Sequence, residues 1–169
     1  MSDPFASPGP LIERVYAYVA YVVGDGTLAE DVTSEAIARG LRYRASYDPR
    51  KGTPLAWLIG IARRCMPPPV FADDEAALTD IASGADLELE AVDRLTLRAA
   101  VATLPPRDRE LIALRYGSDL TAKQIARLLE ITTNAVEVAL HRALQRLRAE
   151  LSGQPAETPR KGLDRAGGM

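Results

Sequence analysis

Apolar residues at positions 136, 140, 143, 144, 147 and 151 recur every three or four places, the period of a helix buried along one side. Just upstream, Thr121-Ala122-Lys123-Gln124 has the form of a capping box, in which a hydroxyl and a side-chain amide satisfy free amides of a first helical turn. It opens a shorter helix carrying Ile125, Ala126, Leu128 and Leu129. Glu130-Ile131-Thr132-Thr133-Asn134 is the turn between the two. Spacing alone fits an ordinary helical hairpin and a helix-turn-helix equally well. The free side of the second helix tips the balance. Arg142, Arg146 and Arg148 are placed to reach phosphates, while Thr133, Asn134 and His141 are placed to meet groove edges.

Similar patterns run through the rest of the chain. Residues 11–23, including Tyr16, Tyr18 and Tyr21, are apolar on almost every side and predict a buried helix. Gly24-Asp25-Gly26 stops it. Thr27-Leu28-Ala29-Glu30 reads as a second capping box, opening a helix that turns Leu28, Val32, Ala36, Ile37 and Leu41 to one side. Residues 47–52 form a turn-rich loop. Thr53-Pro54 then supplies an N-cap and a first-position proline, an arrangement that loses no hydrogen bond. The helix that follows carries Leu58, Ile61 and Ala62, ends on Arg63 and Arg64, and cannot pass Pro67-Pro68-Pro69. Helical spacing resumes over 86–103, and Pro105-Pro106 begins another helix that Tyr116-Gly117 closes. No strand of any length is apparent. The prediction is an all-α chain of two small helical domains, 11–66 and 86–151, joined by a flexible acidic linker over 67–85. Residues 1–10 read as a disordered lead and 152–169 as a disordered tail.

A formal net charge of -2 argues against a nucleic-acid partner until it is divided by region. Residues 67–100 hold 2 basic and 8 acidic side chains, whereas 1–66 hold 8 and 7, and 101–151 hold 8 and 6. The acidity lies in the middle, between mildly positive helical ends. So small a basic excess predicts weak DNA binding by the isolated chain. The lone Cys65 excludes a disulfide framework or a multi-cysteine zinc site and suits a reducing cytoplasm. Beside Arg63 and Arg64 it is a candidate redox thiol, with an inert helix-end cysteine as the plainer reading. The longest apolar run, 15–23, is too short to span a bilayer, and the first residues lack the basic start of a signal peptide. A cytoplasmic chain without membrane insertion is expected. No constellation of paired titratable groups suggests an enzyme, a metal site or a cofactor.

Two blocks of residues resemble a known family. Leu104-Pro105-Pro106-Arg107-Asp108-Arg109-Glu110-Leu111, then 121–129, then Ala135-Val136 and Leu140-His141-Arg142-Ala143-Leu144, resemble domain 4 of bacterial RNA polymerase sigma factors. Ala29-Glu30-Asp31-Val32 with Glu35-Ala36, Tyr47-Asp48-Pro49, and Trp57-Leu58-Ile59-Gly60-Ile61-Ala62-Arg63 resemble domain 2. Their order, with an acidic linker between them, is similar to the small extracytoplasmic-function type.

The resemblance implies roles for particular residues. Asp31, Glu35, Arg39 and Arg42 would dock on the clamp helices of core RNA polymerase, with the polymerase flap as a further contact. Tyr43, Tyr47, Arg50, Lys51, Trp57, Arg63 and Arg64 would engage the opened -10 strand of promoter DNA, the aromatics offering stacking faces to flipped bases. Trp57 is divided between that role and core packing. Thr121, Lys123, Thr133, Asn134, Glu137, His141, Arg142 and Arg146 would face the -35 duplex. An anti-sigma factor is the implied inhibitor. Two departures from the family stand out. The -10 helix meets three prolines where relatives continue into a basic segment, and Glu137 and Ala139 occupy positions often Lys and Arg. These motivate a second expectation, a sigma-like protein that regulates by partner binding without initiating at promoters.

Overall fold

Proline lies in the first turn of three helices, where its missing amide has no partner to lose. Pro10 does so in α1 (Gly9–Val23), Pro54 in α3 (Pro54–Cys65) and Pro106 in α5 (Pro106–Ile112). The computed structural model describes residues 5–67 and 94–153, and among them all regular structure is helical. The other helices are α2 (Thr27–Arg42), α4 (Arg94–Thr103), α6 (Ala122–Leu129) and α7 (Thr133–Leu151). A 3-10 turn, Arg44–Ser46, follows α2, and α5 runs on into a π-helical turn, Ala113–Gly117.

Two of the three threonine caps are as expected. Thr53 accepts from the Ala56 amide at 3.2 Å, and Thr121 and Gln124 form the complete reciprocal box. The box at Thr27 does not form. Thr27 is already inside α2, and its N-cap is Gly26, whose φ of 127° suits a residue without a Cβ. The turn before α7 is also shorter than its sequence suggests: Thr132 caps the helix by accepting from the Ala135 amide at 3.1 Å.

Helix α1 organises the molecule. Val15, Tyr18 and Val19 are fully buried because α1 packs on α2 and α3 along one side and on α4, α5 and the π-turn along another. A helix covered in this way exposes only its first turns, around Ile12 and Glu13, which accounts for its largely apolar sequence. One core therefore runs from Leu58 and Ile59 of α3, through α1, to Leu111, Leu114 and Ile125. A second cluster of Leu97, Val101, Leu104, Ile112, Ala143 and Leu147 ties α4 and α5 to α7. The approach of the π-turn to α1 is close enough to require glycine. A Cβ on Gly117 would lie 2.9 Å from Tyr21 Cδ2 and 3.4 Å from the Ala17 backbone.

The first residues correct another expectation. Phe5 is 8% exposed and packs in the core, and α1 begins at Gly9, within the stretch assigned to a disordered lead. Beyond Pro67, the linker expected over 67–85 lies outside the described residues, as does the tail beyond Gly153.

Candidate nucleic-acid interface

The paired helices α6 and α7 have the geometry of a helix-turn-helix. Glu130 ends α6 in the left-handed region (φ 58°, ψ 38°), the Ile131 amide donates back to the Ala126 carbonyl at 3.0 Å, and Thr132 starts α7. So tight a reversal fixes the crossing of the two helices. Val136, Leu140, Ala143 and Leu147 are buried, while Thr133, Asn134 and Glu137 are exposed and His141 is half-buried. Asn134, Glu137 and His141 fall three and four residues apart and so share one face. Thr121 and Lys123 are exposed at the start of α6. Arg142 is half-buried and engaged with other groups of the protein.

On α2, the side chains of Asp31, Glu35, Arg39 and Arg42 are all exposed along one flank. Glu35 accepts from Arg39 Nε at 2.5 Å, which holds the guanidinium pKa above its usual value. Leu28 and Leu41, at 49% and 44% exposed, leave apolar surface at the two ends of this helix.

Past the end of α2, Tyr43 is 55% exposed. In the following loop Tyr47 donates its hydroxyl to the Gly52 carbonyl at 2.9 Å, and Arg50 donates to both carboxylate oxygens of Asp48 at 3.1 Å. Arg50's side chain and backbone hydrogen bonds, in that order, lower the Asp48 pKa. With its side chain 88% exposed, Arg50 forms a solvent-screened pair that a phosphate can replace. Lys51 and Arg64 are exposed, and Trp57 is half-buried. A groove of about 720 Å³ opens beside Arg64, walled by Val22, Val23, Met66, Pro67 and Leu128.

Two of the arginines assigned to DNA are engaged elsewhere. Arg63 donates from Nε to Glu110 Oε1 at 2.6 Å, across the seam between α3 and α5. The Tyr18 hydroxyl donates to the same oxygen at 3.1 Å. Burial works against the Arg63 charge, but the Glu110 carboxylate outweighs it, so the guanidinium pKa is raised. Burial and then the same carboxylate push the Tyr18 phenol well above its ordinary value. In the C-terminal block, Arg146 donates to the buried Asp108 of α5. The seam thus holds Arg63, whose side chain is 33% exposed, while the Arg146 side chain stays 46% exposed beside its acid partner.

Residues 11–66 match the family described as Sigma-70 region 2, and residues 94–147 match Sigma-70, region 4. The chain is 30% identical over 146 residues to the ECF RNA polymerase sigma factor SigK of Mycobacterium ulcerans, covering 80% of this chain and 78% of that protein. The chain belongs to the ECF sigma factors. It is also 28% identical to the ECF sigma factor BldN of Streptomyces coelicolor over 80% of this chain and 55% of BldN. A chain in the co-crystal structure of the sigma factor RpoE with the anti-sigma factor NepR from Bartonella quintana shares its fold. The TM-score is 0.63 and the identity 16%, over 86% of this chain and 94% of that one.

As an ECF sigma factor the protein is a transcription initiation factor. Its two regions share polar contacts that sequence reasoning missed. Arg14 donates to the Ser118 carbonyl at 2.7 Å, and Ser118 donates its hydroxyl to the Arg14 carbonyl at 3.1 Å. Arg98 donates to Asp25 at 2.5 Å, and Arg109 donates to the Val22 carbonyl at 3.2 Å. None of these pairs leaves a local spacing signal, because the partners are 73 or more residues apart. The one sequence sign of this seam was the all-round apolarity of α1. Among the described residues, no group of three or more His, Cys, Asp or Glu could hold a metal, and no helix is long and apolar enough to cross a membrane.

Proposed function

We propose that this sigma factor binds core RNA polymerase through the exposed flank of α2 and carries two separate DNA-reading surfaces. Asp31, Glu35, Arg39 and Arg42 meet the polymerase clamp helices, and the C-terminal region meets the flap. The loop with Tyr43, Tyr47, Arg50 and Lys51, together with Trp57 and Arg64, takes the opened -10 strand. Thr133, Asn134, Glu137 and His141 face the -35 groove, with Thr121 and Lys123 near its phosphates. The observation that carries this reading is the open N-terminal face of α7, set by a tight turn behind α6, in a chain whose other half matches Sigma-70 region 2. Glu137 favours a cytosine amino group over a phosphate as its partner, since a carboxylate accepts from the first and repels the second.

The arrangement of the helices adds a conformational step. Arg63 serves the -10 strand only after it leaves Glu110, so the DNA-engaged form is one in which the seam has parted. An anti-sigma factor, the class to which NepR in the RpoE co-crystal belongs, is the proposed inhibitor, acting by favouring the closed form.

Reconstitution with core polymerase tests the whole reading. The chain should be retained by core and should produce discrete transcript starts, located by sequencing transcripts after overexpression. Reversing charge at Asp31 and Arg39 together should reduce retention by an order of magnitude or so. A chain that core polymerase does not retain would refute the assignment of α2.

A further inference from the structure

The expected -10 loop does not meet solvent with all of its aromatics. Phe5, from the segment before α1, lies against Tyr47 edge-on, with ring centroids 5.5 Å apart and planes at 85°. Its ring is also 5.6 Å from that of Trp57, and Tyr47 and Trp57 stand 5.6 Å from each other. The three rings close a triangle. Tyr47 and Trp57 are held by regular local structure: the Tyr47 hydroxyl donates to Gly52, and Trp57 lies in the first turns of α3, behind the Thr53 cap. Phe5 comes from outside any helix, yet it is the most buried of the three.

We propose that Phe5 occupies the place of an unstacked nucleobase, and that single-stranded DNA must displace this ring before a base stacks on Tyr47 and Trp57. A phenyl ring and a base are both flat, apolar-faced and stack on aromatics without a demanding hydrogen-bond pattern, so one can exchange for the other. The rest of the same loop supplies what a nucleotide needs and a phenylalanine does not. Arg50 and Lys51 are exposed for the phosphate, and Tyr43 is exposed as a further stacking face. Duplex DNA cannot compete for the site, because its bases are already stacked on one another. The exchange therefore favours melted over paired DNA. The apparent affinity for a strand falls by the fraction of time the ring is in place.

This inference rests on the reading of the 47–52 loop as the -10 strand site, and the test separates the two. The full-length chain is titrated with labelled oligo-dA and oligo-dT single strands, with affinity read from anisotropy. Trp57, the chain's one tryptophan, reports contact through its own fluorescence. Phe5→Ala should tighten binding about tenfold, as expected if the ring fills the site about nine-tenths of the time. It should also deepen the quenching of Trp57 by the bases. Phe5→Tyr should behave as wild type, and a chain lacking residues 2–7 should repeat the gain should Phe5→Ala fold poorly. Unchanged or weaker binding by both the folded Phe5→Ala chain and the truncated chain, with Tyr47→Ala still weakening it, would overturn the role of Phe5 and leave the loop's assignment standing. If Tyr47→Ala has no effect even in the Phe5→Ala background, the loop is not a strand site and both readings fall.

Discussion

Glu110 offers the sharpest test of the seam, because a single carboxylate oxygen receives both Arg63 and Tyr18. Glu110→Ala leaves the hydroxyl of a fully buried tyrosine without an acceptor, which costs about 1–3 kcal/mol. Arg63 suffers less. Its side chain is 33% exposed and can turn to water, so its loss falls short of the roughly 3–5 kcal/mol of a fully buried broken pair. Together these give an expected destabilisation of about 2–4 kcal/mol. A double-mutant cycle with Arg63→Ala isolates the ion pair, and its coupling should be about 1–2 kcal/mol. The assay is urea unfolding of the wild type, both single variants and the double variant at neutral pH. Half-buried pairs are weakly screened, so the coupling should survive moderate salt. A coupling below about 0.3 kcal/mol, within the range of independent sites, would show that α3 and α5 are not held together through this contact.

Gly117→Ala should cost about 1–3 kcal/mol in the same unfolding assay, because the Tyr21 ring, 2.9 Å from the added Cβ, must move within packed surroundings. The Tyr18 phenol, raised by burial and by Glu110, keeps its proton in the fold at pH values where the unfolded chain has lost it. The associated stability is complete below about pH 10 and is lost as pH rises from there toward the folded value. Tyr18→Phe should flatten that alkaline decline without abolishing it, since Tyr47 is also raised, by burial and then by Asp48. Thr132→Ala should remove about 1 kcal/mol by uncapping α7, and hydrogen exchange should quicken at the Ala135 amide.

The helices were legible in the sequence because each carries its own local signals. Apolar spacing located α6 and α7, and Thr53-Pro54 and Pro106 marked two starts to the residue. Thr27 misled because Gly26 caps α2 with its backbone, which leaves the threonine hydroxyl no capping role. The exposure of the candidates on α2 and at the start of α7 was legible for a similar reason, since a polar face repeats with the helix period. The acid partners of Arg63 and Arg146 were not legible, because a basic residue bound for phosphate and one bound for an acid look alike in sequence. Their partners, Glu110 and Asp108, lie 47 and 38 residues away, so that only the fold brings each pair together. Phe5 was missed for the opposite reason: one aromatic in a Pro- and Ser-rich stretch has no period to betray it.

If the seam parts on DNA engagement, as proposed, the double coverage of α1 sets heat resistance against output. Val15, Tyr18 and Val19 are fully buried in a core that draws on both halves, so parting the halves returns apolar surface to water. Substitutions that tighten this packing should raise the melting temperature and lower transcription together. A genetic selection for hyperactive variants should accordingly return changes at α1, Gly117 and Glu110, in proteins that melt early, more often than changes at the residues that touch DNA.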